Sequence, residues 1–167
     1  KEQTRIDGLT VLFNRRFLDE TLATEVHRLS RYGGVFSLII FDTDDLKTVD
    51  DTFGHLAGDR LLRAVGDAVK GSIRSSDVPF RYGGDEFAIV LPNTMNDTAM
   101  AVAERVRVRV SEIRIDNKIS ITASFGVATW PTHGSGANDI IIAADLALYR
   151  AKNDGGNKCE TAPDPVT

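Results

Sequence analysis

A chain of 167 residues that is 42% hydrophobic supports one well-formed core and is too short for two comfortable domains. Its formal charge of −4, from 24 acidic and 20 basic residues interspersed along the chain, excludes a global field that would recruit nucleic acid or an anionic membrane, so a phosphate-bearing ligand must be held by a local site. The single cysteine, Cys159, excludes an internal disulfide framework and every multi-cysteine metal motif, and a free thiol fits a reducing, cytoplasmic compartment. No apolar run is long enough to cross a bilayer, and the N-terminus lacks the apolar core of a signal peptide, so the domain is expected to make no membrane contact of its own. The acceptor triplet Asn96-Asp97-Thr98 then reads as an unmodified surface turn. A polar start without methionine and the Pro-containing stretch 161–167 predict a domain over 1–160 followed by linker, excised from a longer protein in which a membrane anchor elsewhere stays open.

Leu18, Leu22, Val26 and Leu29 recur at helical spacing and predict a helix over 15–31, ending before Gly33-Gly34. The run 35–41 is nearly all apolar and rich in β-branched and aromatic residues, the pattern of a central strand covered on both faces. A second helix is predicted over 56–70, with Leu61, Val65, Ala68 and Val69 inward. Short strands at 79–82 and 86–91 flank Gly83-Gly84-Asp85, a hairpin whose glycines are expected to supply positive-φ positions. Ala99, Val102, Val106 and Val110 mark a third helix that turns Arg105, Arg107 and Arg109 largely to other faces. Alternation from Ile119 to Val127 predicts a half-buried strand, and Ile140, Ala144, Leu148 and Ala151 a last helix stopped by Gly155-Gly156. Helices and strands intermixed in this way predict an α+β or α/β sandwich around a mainly antiparallel sheet. There is no internal repeat.

The chemistry sits in the connections. Asp42, Asp44 and Asp45 emerge where the buried strand is expected to end. An EF-hand calcium loop is excluded, because its fifth position would be Leu46 and its required glycine Lys47. Two readings remain for the segment alone: a magnesium site completed by substrate phosphates, or a solvated acidic loop capping a helix. The 83–85 turn adds Asp85 and Glu86. Should its hairpin lie beside the strand ending at Phe41, neighbouring strands ~5 Å apart would let Asp42 and Asp85 face each other across one metal, an arrangement suited to phosphoryl transfer. No Walker loop exists, since 54–59 lacks a Gly-Lys-Ser/Thr ending. Lys152, in the last turn of the final helix, is either a dipole-favoured cation facing water or a hand for terminal phosphates. His55 reads as a polar residue at a helix start, and His27 and His133 have no ligand-cluster spacing. Trp130 beside Pro131 reads as a packing anchor, because neither a second aromatic nor a basic stripe accompanies it.

Taken together, these motifs closely resemble the GGDEF family of diguanylate cyclases, on four separated stretches in the right order: Asp7-Gly8-Leu9-Thr10 onward, Asp51 to Asp59, Arg81-Tyr82-Gly83-Gly84-Asp85-Glu86-Phe87, and Ala144 to Lys152. The resemblance spans residues 6–158 and implies a fold like the palm of class III nucleotide cyclases. It implies condensation of two GTP into cyclic di-GMP and two pyrophosphates, with one GTP in each half of a homodimer. Asp42 and Asp85 would hold magnesium or manganese, with the Thr43 carbonyl as a further ligand and Glu86 beside the metal. Asp85, Glu86 and Lys152 would carry the catalysis. The backbone at Asp44, Asp45 and Leu46 would cradle phosphates, helped by Lys47 and Lys152, while Asp50 and Asp59 would face the guanine edge. Arg74, Asp77 and Arg105 fall on the family's inhibitory product site; outside that register they would read as an ordinary surface ion pair. Sensory or phosphodiesterase domains are the partners expected in the full-length protein.

Three positions depart from the family pattern. Asp50 stands where asparagine is usual, and an ionised aspartate can only accept hydrogen bonds, so it keeps at most half of that recognition of guanine. Gly156 stands where arginine is usual and removes a positive group from the phosphates. Asp45 also replaces a bulky aromatic residue. An active cyclase is the expectation, against two alternatives: a regulatory domain that binds GTP or cyclic di-GMP without turnover, and a structural dimerisation module.

Overall fold

The computed structural model describes residues 4–165. In chain order its elements are α1 (Arg15–Tyr32), β1 (Phe36–Asp44), α2 (Leu46–Phe53), α3 (His55–Lys70), β2 (Val78–Arg81), β3 (Glu86–Pro92), α4 (Asn96–Ser111), β4 (Thr122–Trp130), α5 (Ala137–Asn153) and β5 (Cys159–Thr161). The apolar run after Gly34 becomes the middle strand of five, because a run with no polar face must be covered on both sides. The order across the sheet is β2-β3-β1-β4-β5, antiparallel throughout except for the parallel β4–β5 pair. This is an α+β sandwich. Among the described residues no helix is long and apolar enough to cross a membrane.

Alternation along β1 divides the core into two layers. Ile39 and Phe41 face a cluster with Leu61 and Val65 of α3 and Val106 of α4, where Phe41 stacks between Phe87 and Phe125 with ring centroids 5.0 and 4.5 Å away. Phe36, Leu38 and Ile40 face Leu18 and Leu22 of α1 and Leu148 of α5. One glycine decides how closely α5 lies on the sheet. A Cβ on Gly126 of β4 would sit 2.1 Å from the Ala144 carbonyl oxygen and 2.4 Å from the Leu148 nitrogen, so the α5 backbone rests directly on the strand. That close approach sets the height of the last turn of α5, which carries Lys152.

Several expectations change on contact with the structure. β1 does not stop at Phe41: its pairing continues from Asp42 opposite Glu86 to Asp44 opposite Thr122, so two of the three aspartates belong to the strand itself. The strand expected from Ile119 begins at Thr122, because Asp116 and Asn117 take positive φ and close a small turn in which Ile115 and Ile119 bridge. The stretch 46–53 is a helix that hydrophobic spacing did not reveal. Asn96-Asp97-Thr98 opens α4 and is no surface turn, and the Asn96 amide donates to the hydroxyls of Thr129 and Thr161 at 3.0 and 2.9 Å. Thr161 ends β5 and Ala162 is buried, although both fell in the stretch whose composition reads as linker. Trp130 is the packing anchor expected, stacked near Phe36 with its indole N–H donating to the Ser135 carbonyl.

Candidate active site

Because Asp42 and Asp44 are two apart on β1, both continue the alternation of Ile40 toward the α5 side, while Thr43 turns to the other layer. α5 answers with Lys152. Its ammonium donates to the Thr43 carbonyl at 3.1 Å and to Asp44 Oδ1 at 3.3 Å, and forms an ion pair with Asp42 Oδ1. Lys152 therefore does not face water. Burial pulls its pKa down, but Asp42 and Asp44 outweigh that and hold the ammonium charged.

The two aspartates have opposite electrostatic fates. Asp44 is saturated: Thr122 and Ser124 hydroxyls donate at 2.7 Å each and the Asn157 backbone N–H at 2.9 Å. Burial pushes its carboxyl up, yet these donors and Lys152 hold it below the usual carboxylate range. Its side chain is a structural hub, which leaves only backbone there for a ligand. Asp42 lacks such donors. Its buried Oδ1 receives no hydroxyl or backbone N–H and meets only the Lys152 ammonium, and burial, reinforced by the charges of Asp85 and Glu86 and only partly offset by Lys152, lifts the carboxyl to about 6.

Asp85 reaches the same place from the β2–β3 hairpin. Thr43 N–H donates to the Asp85 carbonyl at 3.3 Å, and the buried Thr43 hydroxyl donates to Asp85 Oδ2 at 2.6 Å. Arg81 holds the hairpin tip by donating to the Gly84 carbonyl at 2.6 and 3.0 Å and to Asp7 at 3.1 Å. The hairpin glycines do not supply positive φ, contrary to expectation. Gly83 is needed for room instead, since a Cβ there would lie 2.5 Å from Glu86 Oε1. Sequence reasoning did not single out Asp145 and Tyr82, whose ionisation is coupled to Glu86. Burial and Glu86 raise the Asp145 carboxyl, and burial together with Asp145, Glu86 and Asp42 keeps the Tyr82 phenol neutral, with the Arg15 guanidinium 5.3 Å from its ring centre.

Other expected residues form separate groups. Asp45 adopts the left-handed conformation at φ 66° and caps α2, accepting from the Thr48 N–H and hydroxyl, so its carboxylate is spent on local structure. Leu46 packs partly on the core, and Lys47 is exposed beside Asp51 at 3.4 Å. Asp50 lies against Gly58, where a Cβ would fall 2.0 Å from its Oδ1, and 3.4 Å from His55 Nδ1; half-buried Asp59 follows Gly58 on α3. Gly156 has φ +73° and leaves only 3.3 Å between a Cβ and the Asp44 carboxylate, so a larger residue there meets both backbone strain and a crowded wall. Arg74 forks onto fully buried Asp77 at 2.9 and 3.2 Å and donates to Thr94, while Arg105 donates twice to the Ser72 carbonyl. Arg74 also reaches the Pro92 carbonyl, at the end of β3 remote from Glu86.

Among the described residues no three carboxylate, imidazole or thiol groups converge to hold a metal unaided. A buried carboxylate oxygen held only by a shared ammonium, with two more carboxylates in electrostatic reach, fits a hard divalent cation that takes two protein oxygens and completes its shell elsewhere.

The family model described as diguanylate cyclase, GGDEF domain, matches residues 4–158. The chain belongs to the GGDEF family of diguanylate cyclases. Diguanylate cyclase DosC of Escherichia coli K12 is 39% identical over 96% of this GGDEF chain, which covers 35% of that protein; diguanylate cyclase A of Treponema denticola is 36% identical over 94%, covering 44%. The chain thus spans less than half the length of these relatives. Among solved structures, the GGDEF domain of DgcB from Caulobacter crescentus in complex with c-di-GMP has a TM-score of 0.89 at 30% identity, covering 97% of this chain and 98% of that one. Diguanylate cyclase SiaD from Pseudomonas aeruginosa, in complex with its activator SiaC, has a TM-score of 0.89 at 39% identity, covering 95% and 62%.

Proposed function

We propose that this GGDEF domain condenses two GTP into cyclic di-GMP and two pyrophosphates, as a magnesium- or manganese-dependent homodimer with one GTP held by each copy. The observation that carries the reading is the buried Asp42 carboxylate, partnered only by the Lys152 ammonium that it shares with Asp44, and set beside Asp85 and Glu86 at one end of the sheet. In each half-reaction a 3′-hydroxyl oxygen bonds to the α-phosphorus held by the other copy as its proton passes to solvent, the α–β phosphoanhydride bond breaks, and pyrophosphate leaves with the bonding electron pair. Asp42 and Asp85, with the Thr43 carbonyl, would hold the metal, which when bound neutralises phosphate charge and acidifies the attacking hydroxyl. Thr43 fixes Asp85 through its hydroxyl, and Gly83 leaves the space that Glu86 occupies. Lys152, no longer needed to neutralise Asp42, supplies its charge to phosphate oxygens. The backbone at the start of α2 faces the phosphates, and Asp50 and Asp59 accept from the guanine edge.

Purified chain given GTP and magnesium is expected to release cyclic di-GMP and pyrophosphate in a ratio of one to two, and chelation with EDTA to stop it. A chain that binds GTP and forms no dinucleotide supports the second reading, a binding module without turnover, which Asp50 and the conformation of Gly156 favour. Product inhibition is part of the same proposal, supported by the c-di-GMP complex of the DgcB domain and by the placement of Arg74, Asp77 and Arg105. Arg74→Ala is expected to weaken cyclic di-GMP binding roughly tenfold by removing a charge-assisted donor, and to cost stability as well, because Asp77 is left buried without its guanidinium. Equal affinity by calorimetry in variant and parent contradicts the inhibitory site. Flanking sensory or phosphodiesterase domains, or a separate activator such as SiaC is for SiaD, are the partners this role calls for.

A further inference from the structure

The three arginines of α4 at alternate positions each grip a loop. Arg105 donates to the Ser72 carbonyl and Arg109 to the Gly71 carbonyl, on the connection that leads to Arg74. Arg107 faces elsewhere: its guanidinium donates to Asn157 Oδ1 at 2.8 Å while Glu104 holds its other edge at 2.9 Å, leaving the side chain only 20% exposed. Asn157 is no passive partner. It follows Gly155 at φ +104° and Gly156 at φ +73° and itself has φ +52°, so three successive residues take a conformation that glycine adopts freely and asparagine at some cost. A Cβ at Gly155 would meet nothing within 4 Å, so packing does not hold that part of the loop. The Asn157 N–H nevertheless donates to both Asp44 and Ser124, at 2.9 and 3.1 Å, and Asp44 in turn receives Lys152.

We propose that Arg107 is a positioning residue for the nucleotide site, fixing the 155–157 loop through Asn157 so that Asp44 stays saturated and Lys152 remains available to the triphosphate. The inference rests on the functional reading above. Glycine at 156 makes it matter in this chain, because no side chain at that position reaches toward the phosphates and the loop contributes through its placement alone. The Gly155 and Gly156 N–H groups are tied to the Lys152 and Ala151 carbonyls, but without Arg107 the Asn157 side chain loses its guanidinium partner, which loosens the N–H bond to Asp44 and lets that carboxylate draw Lys152 closer.

The test compares the parent, Arg107→Ala, Asn157→Gly and the double variant for GTP affinity by calorimetry with magnesium, for KM and kcat, and for melting temperature. Arg107→Ala is expected to weaken GTP binding and raise KM about five- to tenfold with kcat within twofold. Asn157→Gly keeps the backbone conformation accessible but removes the acceptor, and is expected to match it. The double variant is expected to be no worse than either single one, because both break the same contact. Arg107→Lys, which keeps charge but loses the fork, is expected to recover only part of the affinity. Unchanged GTP affinity in Arg107→Ala, or additive losses in the double variant, overturns the inference even where the parent is an active cyclase. A parent that binds GTP without turning it over overturns the functional reading and leaves the affinity comparison decisive for Arg107. A parent that binds no GTP overturns both.

Discussion

Replacing Asp42 by asparagine is expected to reduce cyclic di-GMP formation at least ~100-fold while making the metal-free chain more stable at neutral pH. The loss follows from removing a charged ligand whose place a neutral amide fills poorly. The gain follows from linkage. The Asp42 carboxyl is lifted to about 6 from an ordinary 3.8 by burial and by its acidic neighbours. Between those values the folded chain keeps a proton that the unfolded chain has released, so stability falls as pH rises through that window and the penalty is complete above about 6. Asparagine carries no such penalty, and Lys152 still has Asp44. A gain of about 1–2 kcal/mol is expected at pH 7.5 in EDTA, allowing for partial solvent access, and it should vanish near pH 4. Thermal melts at both pH values check the sign; a variant less stable than the parent at pH 7.5 contradicts the assignment of Asp42 as a strained, metal-directed carboxylate. Asp85 predicts the opposite balance, since Asp85→Ala deprives the buried Thr43 hydroxyl of its acceptor and should cost stability as well as turnover.

Gly126→Ala is expected to destabilise the fold by about 3 kcal/mol or more, a large share of the ~5–15 kcal/mol typical of a domain. Its added methyl would lie 2.1 and 2.4 Å from backbone atoms of α5, which cannot swing aside as a flexible side chain could. Either α5 lifts off β4 or the strand bends, and both move Lys152 from Asp42. The melting temperature should drop by roughly 6–12 °C, and residual turnover should fall in the fraction that stays folded. Gly8→Ala, where a Cβ meets nothing within 4 Å, serves as the control and should stay within about 0.5 kcal/mol. Equal melting temperatures for the two variants would contradict the close approach of helix and strand.

Periodicity revealed the long elements because each buries a continuous apolar face. α1, α3, α4 and α5 are read from spacing nearly as they occur, and β1 from its nearly all-apolar run. α2 escaped notice for physical reasons: eight residues including Thr48, Val49 and Thr52 have little intrinsic helix preference, and the Asp45 cap and packing against α3 hold it in place. The end of β1 was misread because Asp42 and Asp44 look like loop residues until their pairing with Glu86 and Thr122 is known. Pattern and family resemblance pointed to Asp42, Asp85 and Lys152, but the division of labour between a saturated Asp44 and an Asp42 held only by Lys152 depends on strand register, which local sequence does not encode. Tyr82 and Asp145 stand inside the family's motif stretches, but the coupling of Asp145 to Glu86, like the Arg107–Asn157 contact, joins elements far apart in the chain.

The most direct test of the account is the rate of cyclic di-GMP formation by the isolated chain over a hundredfold range of protein concentration, at saturating GTP and magnesium. Each product molecule needs two loaded copies to meet, and no long heptad helix lies among the described residues to hold them together. Specific activity is therefore expected to rise with concentration toward a plateau, and to be absent throughout in Asp85→Asn. Specific activity that stays flat across the range, or survives intact in Asp85→Asn, would contradict a two-copy condensation built on Asp42 and Asp85.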